Sequence, residues 1–154
     1  MKKQLTTLLP LLCAAALFLV GCAKKEDEVP ENTSTSTTST STTSFGWAAS
    51  GGSTLKADSS YFVQAYNNIV AYKGGNNNVV DIKLSDLKVG TYSLSTLSGN
   101  SLEYVTGNST YSATGGTVSI GANTGTKLSG TFSCALSGGT LTALSGDFTD
   151  IPKR

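Results

Sequence analysis

Six carboxylates lie beyond residue 44 of this 154-residue chain: Asp58, Asp81, Asp86, Glu103, Asp147 and Asp150. General acid–base work would need two of them converging in one cleft. Asp147 and Asp150 are the nearest in sequence, but along a strand an odd spacing of three sends them to opposite faces. Histidine is absent from the chain. That removes Ser-His and Cys-His hydrolysis, a His-ligated metal and an imidazole base. Asn76–Asn78 and Asp81 offer oxygen ligands for calcium, but without EF-hand spacing. Cys134 is the one cysteine beyond residue 44. It shares a strand face with Phe132 and Leu136, where a thiol behaves as a small buried hydrophobe. Enzymatic activity is therefore not expected, and neither a cofactor nor a metal is implied.

Aromatics offer a second kind of chemistry, because their rings stack on a sugar or fill an interface while a polar group stays wet. Trp47 and six tyrosines are available. Tyr92, Phe132 and Phe148 suit a sheet core or cross-strand pairs. Trp47, at the edge of the folded region, and Tyr66, ahead of Asn67-Asn68 in a loop, fit that use least well. They are the candidate ligand-contacting residues.

Strands must position these side chains. Val80, Ile82 and Leu84 alternate with Asp81 and Lys83, as do Val118 and Ile120 with Thr117 and Ser119. The strongest run sets Leu128, Gly130, Phe132, Cys134 and Leu136 against Ser129, Thr131, Ser133 and Ala135. Period-two alternation gives each strand one apolar face. No stretch beyond residue 44 carries a convincing amphipathic helix, and Ser85–Lys88 can make at most one turn. Gly74–Asn78, Gly107-Asn108, Gly115-Gly116 and Gly138-Gly139 read as reversals, with Gly107-Asn108 suiting a type II′ hairpin. Eight to nine antiparallel strands are predicted over residues 45–154. They should form a β-sandwich or, as the alternative, a small β-barrel. Leu-Ser-Gly recurs at 128–130, 136–138 and 144–146, which the composition accounts for without a repeat.

The N-terminus is organised differently. Met1-Lys2-Lys3 precedes an apolar run of 13 residues, Leu8 to Val20. A bilayer span needs about 20 residues, so this run fits a secretory signal instead. It ends Leu19-Val20-Gly21-Cys22, which resembles the lipobox of bacterial lipoproteins. The resemblance implies cleavage before Cys22, a thioether-linked diacylglycerol on its sulfur and acylation of the new amine, so that the protein meets membrane lipid through residue 22. Residues 1–21 would then be the lipoprotein signal peptide. Lys24-Lys25-Glu26-Asp27-Glu28 follows an Ala at position 23, and this cluster resembles the surface-export signal of Bacteroidota lipoproteins. It implies an outer-membrane address, facing outward.

Thr33 to Ser44 is an unbroken run of twelve Ser and Thr residues. It has nothing apolar to bury and cannot offset the entropy of ordering. Residues 22–44 therefore read as a lipidated cysteine and a disordered tether, with an r.m.s. reach of about 25 Å. The stretch from Gly116 through Leu128–Phe132 to Ser145–Pro152 resembles the C-terminal all-β domain, of unknown function, of small Bacteroidota cell-envelope lipoproteins.

Charge is balanced beyond residue 44, with seven basic and six acidic side chains. No basic field for nucleic acid exists. The expectation is a lipid-anchored envelope protein whose β domain binds a glycan or an envelope protein without catalysis. The alternative is a purely structural envelope protein without a ligand.

Overall fold

The computed structural model describes residues 42–154. The expected signal peptide, Cys22 and the tether up to residue 41 lie outside the described residues.

Ten strands follow one another: β1 (Ser44–Ala49), β2 (Leu55–Lys56), β3 (Ser59–Val63), β4 (Asn68–Lys73), β5 (Asn78–Lys83), β6 (Gly90–Ser93), β7 (Ser101–Thr106), β8 (Ser109–Asn123), β9 (Lys127–Ser137) and β10 (Ala143–Pro152). A single 3-10 turn, Gln64–Tyr66, separates β3 from β4. Every named strand pair is antiparallel. The expected all-β antiparallel class is what the chain adopts. Its form is one continuous sheet in the order β2-β1-β10-β9-β8-β7-β5-β4-β3, with β6 on β8.

Chain connectivity makes that sheet curl. Nine strands in line at about 4.8 Å spacing would span about 38 Å if flat. Yet the two end strands are neighbours in sequence, because β2 stops at Lys56 and β3 starts at Ser59. Three virtual bonds hold those residues within about 11 Å. The sheet must roll, and it does so as a half-barrel. Ala57 N–H donates to Phe45 O (2.8 Å) and Asp58 N–H to Tyr72 O (2.8 Å), so one bent segment serves both margins. Past Thr149, the partner of Ser44 at the start of β1, the chain leaving β10 meets β3: Lys153 bridges Phe62, and Arg154 N–H donates to Phe62 O (2.9 Å).

Alternation then sorts the side chains. Phe45, Trp47, Phe62, Ile69, Val80, Ile82, Leu102, Tyr104, Val118, Ile120, Leu128, Phe132, Leu144, Phe148 and Ile151 fill the concave side. Burying each such side chain is worth roughly 1.5–3 kcal/mol. Leu84, Leu87 and Leu94, from the connections around β6, join the same core. Three phenylalanines form its centre, with Phe45 stacked on Phe148 at 5.6 Å and tilted against Phe132 at 5.7 Å. Two glycines make room for them. Gly130 lies opposite Phe148, and Gly146 opposite Phe132. A Cβ on Gly130 would sit 2.6 Å from Phe148 Cζ, and one on Gly146 2.5 Å from Phe132 Cζ. The Leu-Ser-Gly matches at 128–130 and 144–146 are thus two copies of one packing device.

Gly107 alone of its pair has positive φ (57°), as a type II′ hairpin requires. Gly115-Gly116 departs from expectation, because it lies inside β8 rather than reversing the chain. At 15 residues, β8 is long enough to pair β7 through Ser109–Ser112 and β6 through Thr117–Ile120 on one edge. The register slips between Ala113 and Gly115 where it changes partner.

Candidate functional site

The two candidate aromatics are not brought together. Trp47 is 1% exposed and makes edge contacts with Phe45 (6.0 Å) and Tyr104 (6.3 Å). Its reading as a ligand-contacting residue is corrected: it shares the inward face of β1 with Phe45, two positions away. Its indole Nε1 is enclosed without an acceptor. Tyr66 ends the 3-10 turn and is 73% exposed, next to Asn67 in the left-handed region.

Most acids serve local geometry. Asp58 accepts from Gly74 N–H at 2.8 Å and lies 3.8 Å from Lys73. Asp86 accepts from Leu87 N–H at 2.7 Å and pairs with Lys88 at 2.6 Å, and that lysine is the main cause holding its carboxyl below the usual range. Asp150 sits at φ 50° in a bulge between Phe148 and Ile151, tied to Ser129 and Lys127. The inserted residue breaks the alternation that would have set Asp147 and Asp150 on opposite faces. Two Ser-x-x-Lys spacings occur, Ser53–Lys56 and Ser85–Lys88, and neither serine is hydrogen-bonded to its lysine. Asn78 Oδ1 accepts from the Tyr104 and Thr106 hydroxyls (3.1 and 2.9 Å). Cys134 is buried, and desolvation pushes its thiol up to about 11.

The convex side of β3, β4, β5 and β7 carries a different assembly. Register aligns Tyr61, Val70, Asp81 and Glu103 in one row across the four strands. Ser59, Tyr72, Val79 and Val105 form the next row. Val70 points away from Ile69 and Ala71 yet is only 5% exposed, so its neighbours cover it on the outside. Tyr61 and Tyr72 meet diagonally, with ring centroids 6.1 Å apart and hydroxyls at 3.1 Å. Arg154 lies 4.7 Å over the Tyr61 ring.

Electrostatics mark the same patch. The hydrogen bond with Tyr61, aided by burial, pushes Tyr72 up to about 12. Burial raises Asp81 above the usual carboxylate range; the Asn68 amide opposes this, while Glu103, directly across the ladder, adds to it. Like charges directly opposite destabilise a sheet. This is a convex platform of two half-buried rings, one of them under Arg154, beside half-buried Asp81 and exposed Glu103. Among the described residues no pocket encloses it. It can stack a planar or ring-shaped group and accept hydrogen bonds from hydroxyls.

No motif on a single strand betrays this platform, because its pairs lie 11 residues apart (Tyr61, Tyr72) and 22 apart (Asp81, Glu103). Opposite parity to Ile69 and Ala71 was the available signal for Val70 and Tyr72.

The family described as a domain of unknown function, DUF6252, matches residues 47–152. These bounds run from Trp47 in the middle of β1 to Pro152, the last residue of β10, and so take in all of the curled sheet except Ser44–Gly46, its platform included. The chain belongs to the DUF6252 family. No curated protein and no solved structure matches it.

Proposed function

We propose that this DUF6252 protein is a lipid-anchored cell-envelope lipoprotein of the Bacteroidota type, facing outward from the outer membrane, with a non-catalytic saccharide-binding domain. The Tyr61–Tyr72 platform carries the reading. Its rings match the C–H face of a pyranose, and Asp81 and Glu103 accept hydroxyl protons beside them. Keeping a half-buried acid opposite another acid costs stability, and such costs concentrate at functional sites. The Leu19–Cys22 lipobox and the Ser/Thr tract support anchoring at a distance, since multiple acyl chains hold a protein far more firmly than one.

Two experiments test this. Cys22→Ala should move the protein from the detergent phase to the aqueous phase, and unchanged partitioning overturns the anchor. On a panel of envelope and host glycans, Tyr61→Ala and Tyr72→Ala should abolish binding while leaving the far-ultraviolet spectrum intact. Binding that survives both substitutions, or no binding by the unaltered protein, overturns the saccharide reading.

A further inference from the structure

We infer that one end of the half-barrel, the rim that carries Thr43 near the start of the described residues, is a docking surface for anionic lipid. Hydrogen bonds link a closed circuit of loops there. Asn123 donates to Leu87 O (2.8 Å), and Lys153 N–H to Thr126 O (2.9 Å). Arg154 N–H donates to Phe62 O (2.9 Å), one residue from the end of β3 and the 3-10 turn. Asn67 donates to Ser85 O (3.0 Å), and Leu84 N–H to Asn67 O (3.0 Å), returning the circuit to Leu87. Thr43 Oγ1 donates to Asp150 O (3.1 Å), which places the start of the described chain on this rim.

Charge is gathered at this end. Lys83, Lys88, Lys127, Lys153 and Arg154 belong to the rim, against the acidic side chains Asp86 and Asp150. The two acids are taken by Lys88 and Lys127. Lys83, Lys153 and Arg154 make no ion pair among the described residues, and all three are exposed. The opposite end differs sharply: its turns, Ser50–Thr54, Gly74–Asn77, Gly107-Asn108 and Gly138–Thr142, contain no charged residue. Lys73, just above them, is held by Asp58.

Apolar exposure has the same bias. The exposed large hydrophobics are Tyr66, Val89 (65%) and Leu97. Tyr66 and Val89 lie on the rim, and Leu97 is in the adjoining loop that Asn100 ties to Ser85 (2.7 Å). Cations without a carboxylate partner, Arg154 among them although it also lies over the Tyr61 ring, around an exposed tyrosine and aliphatic side chains are the composition of an interfacial lipid contact. An anionic bilayer is also the surface nearest to hand if the chain before Thr43 ends in lipid. The inference rests on the lipoprotein reading for that delivery alone; the affinity of the rim does not need it.

The test uses the chain from residue 22 onward with Cys22→Ser, so that neither signal nor acyl chain contributes. It should co-sediment with phosphatidylethanolamine/phosphatidylglycerol vesicles, not with phosphatidylcholine vesicles, and should release at high salt. Replacing Lys83, Lys153 and Arg154 by Gln should weaken binding about a hundredfold, at about fivefold per charge. Tyr66→Ser with Val89→Ser should weaken it further, while Lys56→Gln with Lys73→Gln should not. Equal binding to both vesicle types, or an unaltered triple variant with unchanged melting, overturns the proposal. Detergent partitioning of the acylated protein reports on the anchor separately.

Discussion

Replacing Gly130 by Ala tests how the half-barrel is packed. The new Cβ would meet Phe148 Cζ at 2.6 Å and Cε2 at 3.0 Å, and would also press on the Ser119 carbonyl of β8. Carbon atoms prefer about 3.5–4.0 Å, so the ring must retreat by about 1 Å. Phe148 has nowhere to go, because Phe45 is stacked on it at 5.6 Å. Overpacking of this kind costs about 1–3 kcal/mol. Gly130 does not have positive φ, so stiffening the unfolded chain returns about 0.4–1 kcal/mol. A net loss of about 1–2 kcal/mol is expected, lowering Tm by several degrees at about 4–8 °C per kcal/mol for a domain of this size. Urea unfolding followed by Trp47 fluorescence measures it, since Trp47 is the one tryptophan and is buried. Gly121→Ala is the control. Its Cβ would meet nothing nearer than Ser129 O at 3.9 Å, and it should be neutral or slightly stabilising. In a Phe148→Leu background the cost of Gly130→Ala should shrink by at least about 0.5 kcal/mol. An alanine that costs nothing, or costs the same with and without the ring, refutes the interlock.

Three further outcomes follow from the side-chain environments. Burial raises Asp81 above its ordinary value, so the folded state holds its proton longer than the unfolded state, and stability falls as pH rises from the ordinary carboxylate value through the raised one. Asp81→Asn should remove that slope and, above it, stabilise the domain by a few tenths to about 1 kcal/mol as the repulsion from Glu103 is relieved; urea curves on both sides of the slope decide this. At the alkaline end, the unfolded chain loses its tyrosine protons near about 10, whereas Tyr72 holds its own to about 12. Stability should therefore fall between these values, and Tyr61→Phe should lower the Tyr72 midpoint in a phenolate absorbance titration. Cys134, with its thiol at about 11 and its side chain buried, should resist thiol reagents at neutral pH in the native protein and react promptly in denaturant.

Local alternation was readable wherever a strand has one wet face. The runs at Val80–Leu84, Val118–Ile120 and Leu128–Leu136 all put their apolar members in the core. Gly107-Asn108 turned as its φ preferences demand. What escaped was the information held between distant segments. Trp47 reads as a junction residue until Gly146 is known to lie opposite it on β10. Gly115-Gly116 reads as a reversal because nothing local shows that β8 continues past it to a second partner. The bulge at Asp150 defeats simple parity. The platform was hidden for the same reason: Asp81 becomes unusual only when β7 sets Glu103 against it.

The pairing of Ser44 with Thr149 has a kinetic corollary. Partners separated by 105 residues meet only after a long loop closes, and such topologies assemble slowly. Until β10 has been synthesised, β1 has only the two-residue β2 to pair with, and β2 has only β1. The native form is withheld until the last ten-residue strand has been delivered. The delay is written into the order of the strands, because the sheet's interior partner for the first long strand is the last one made.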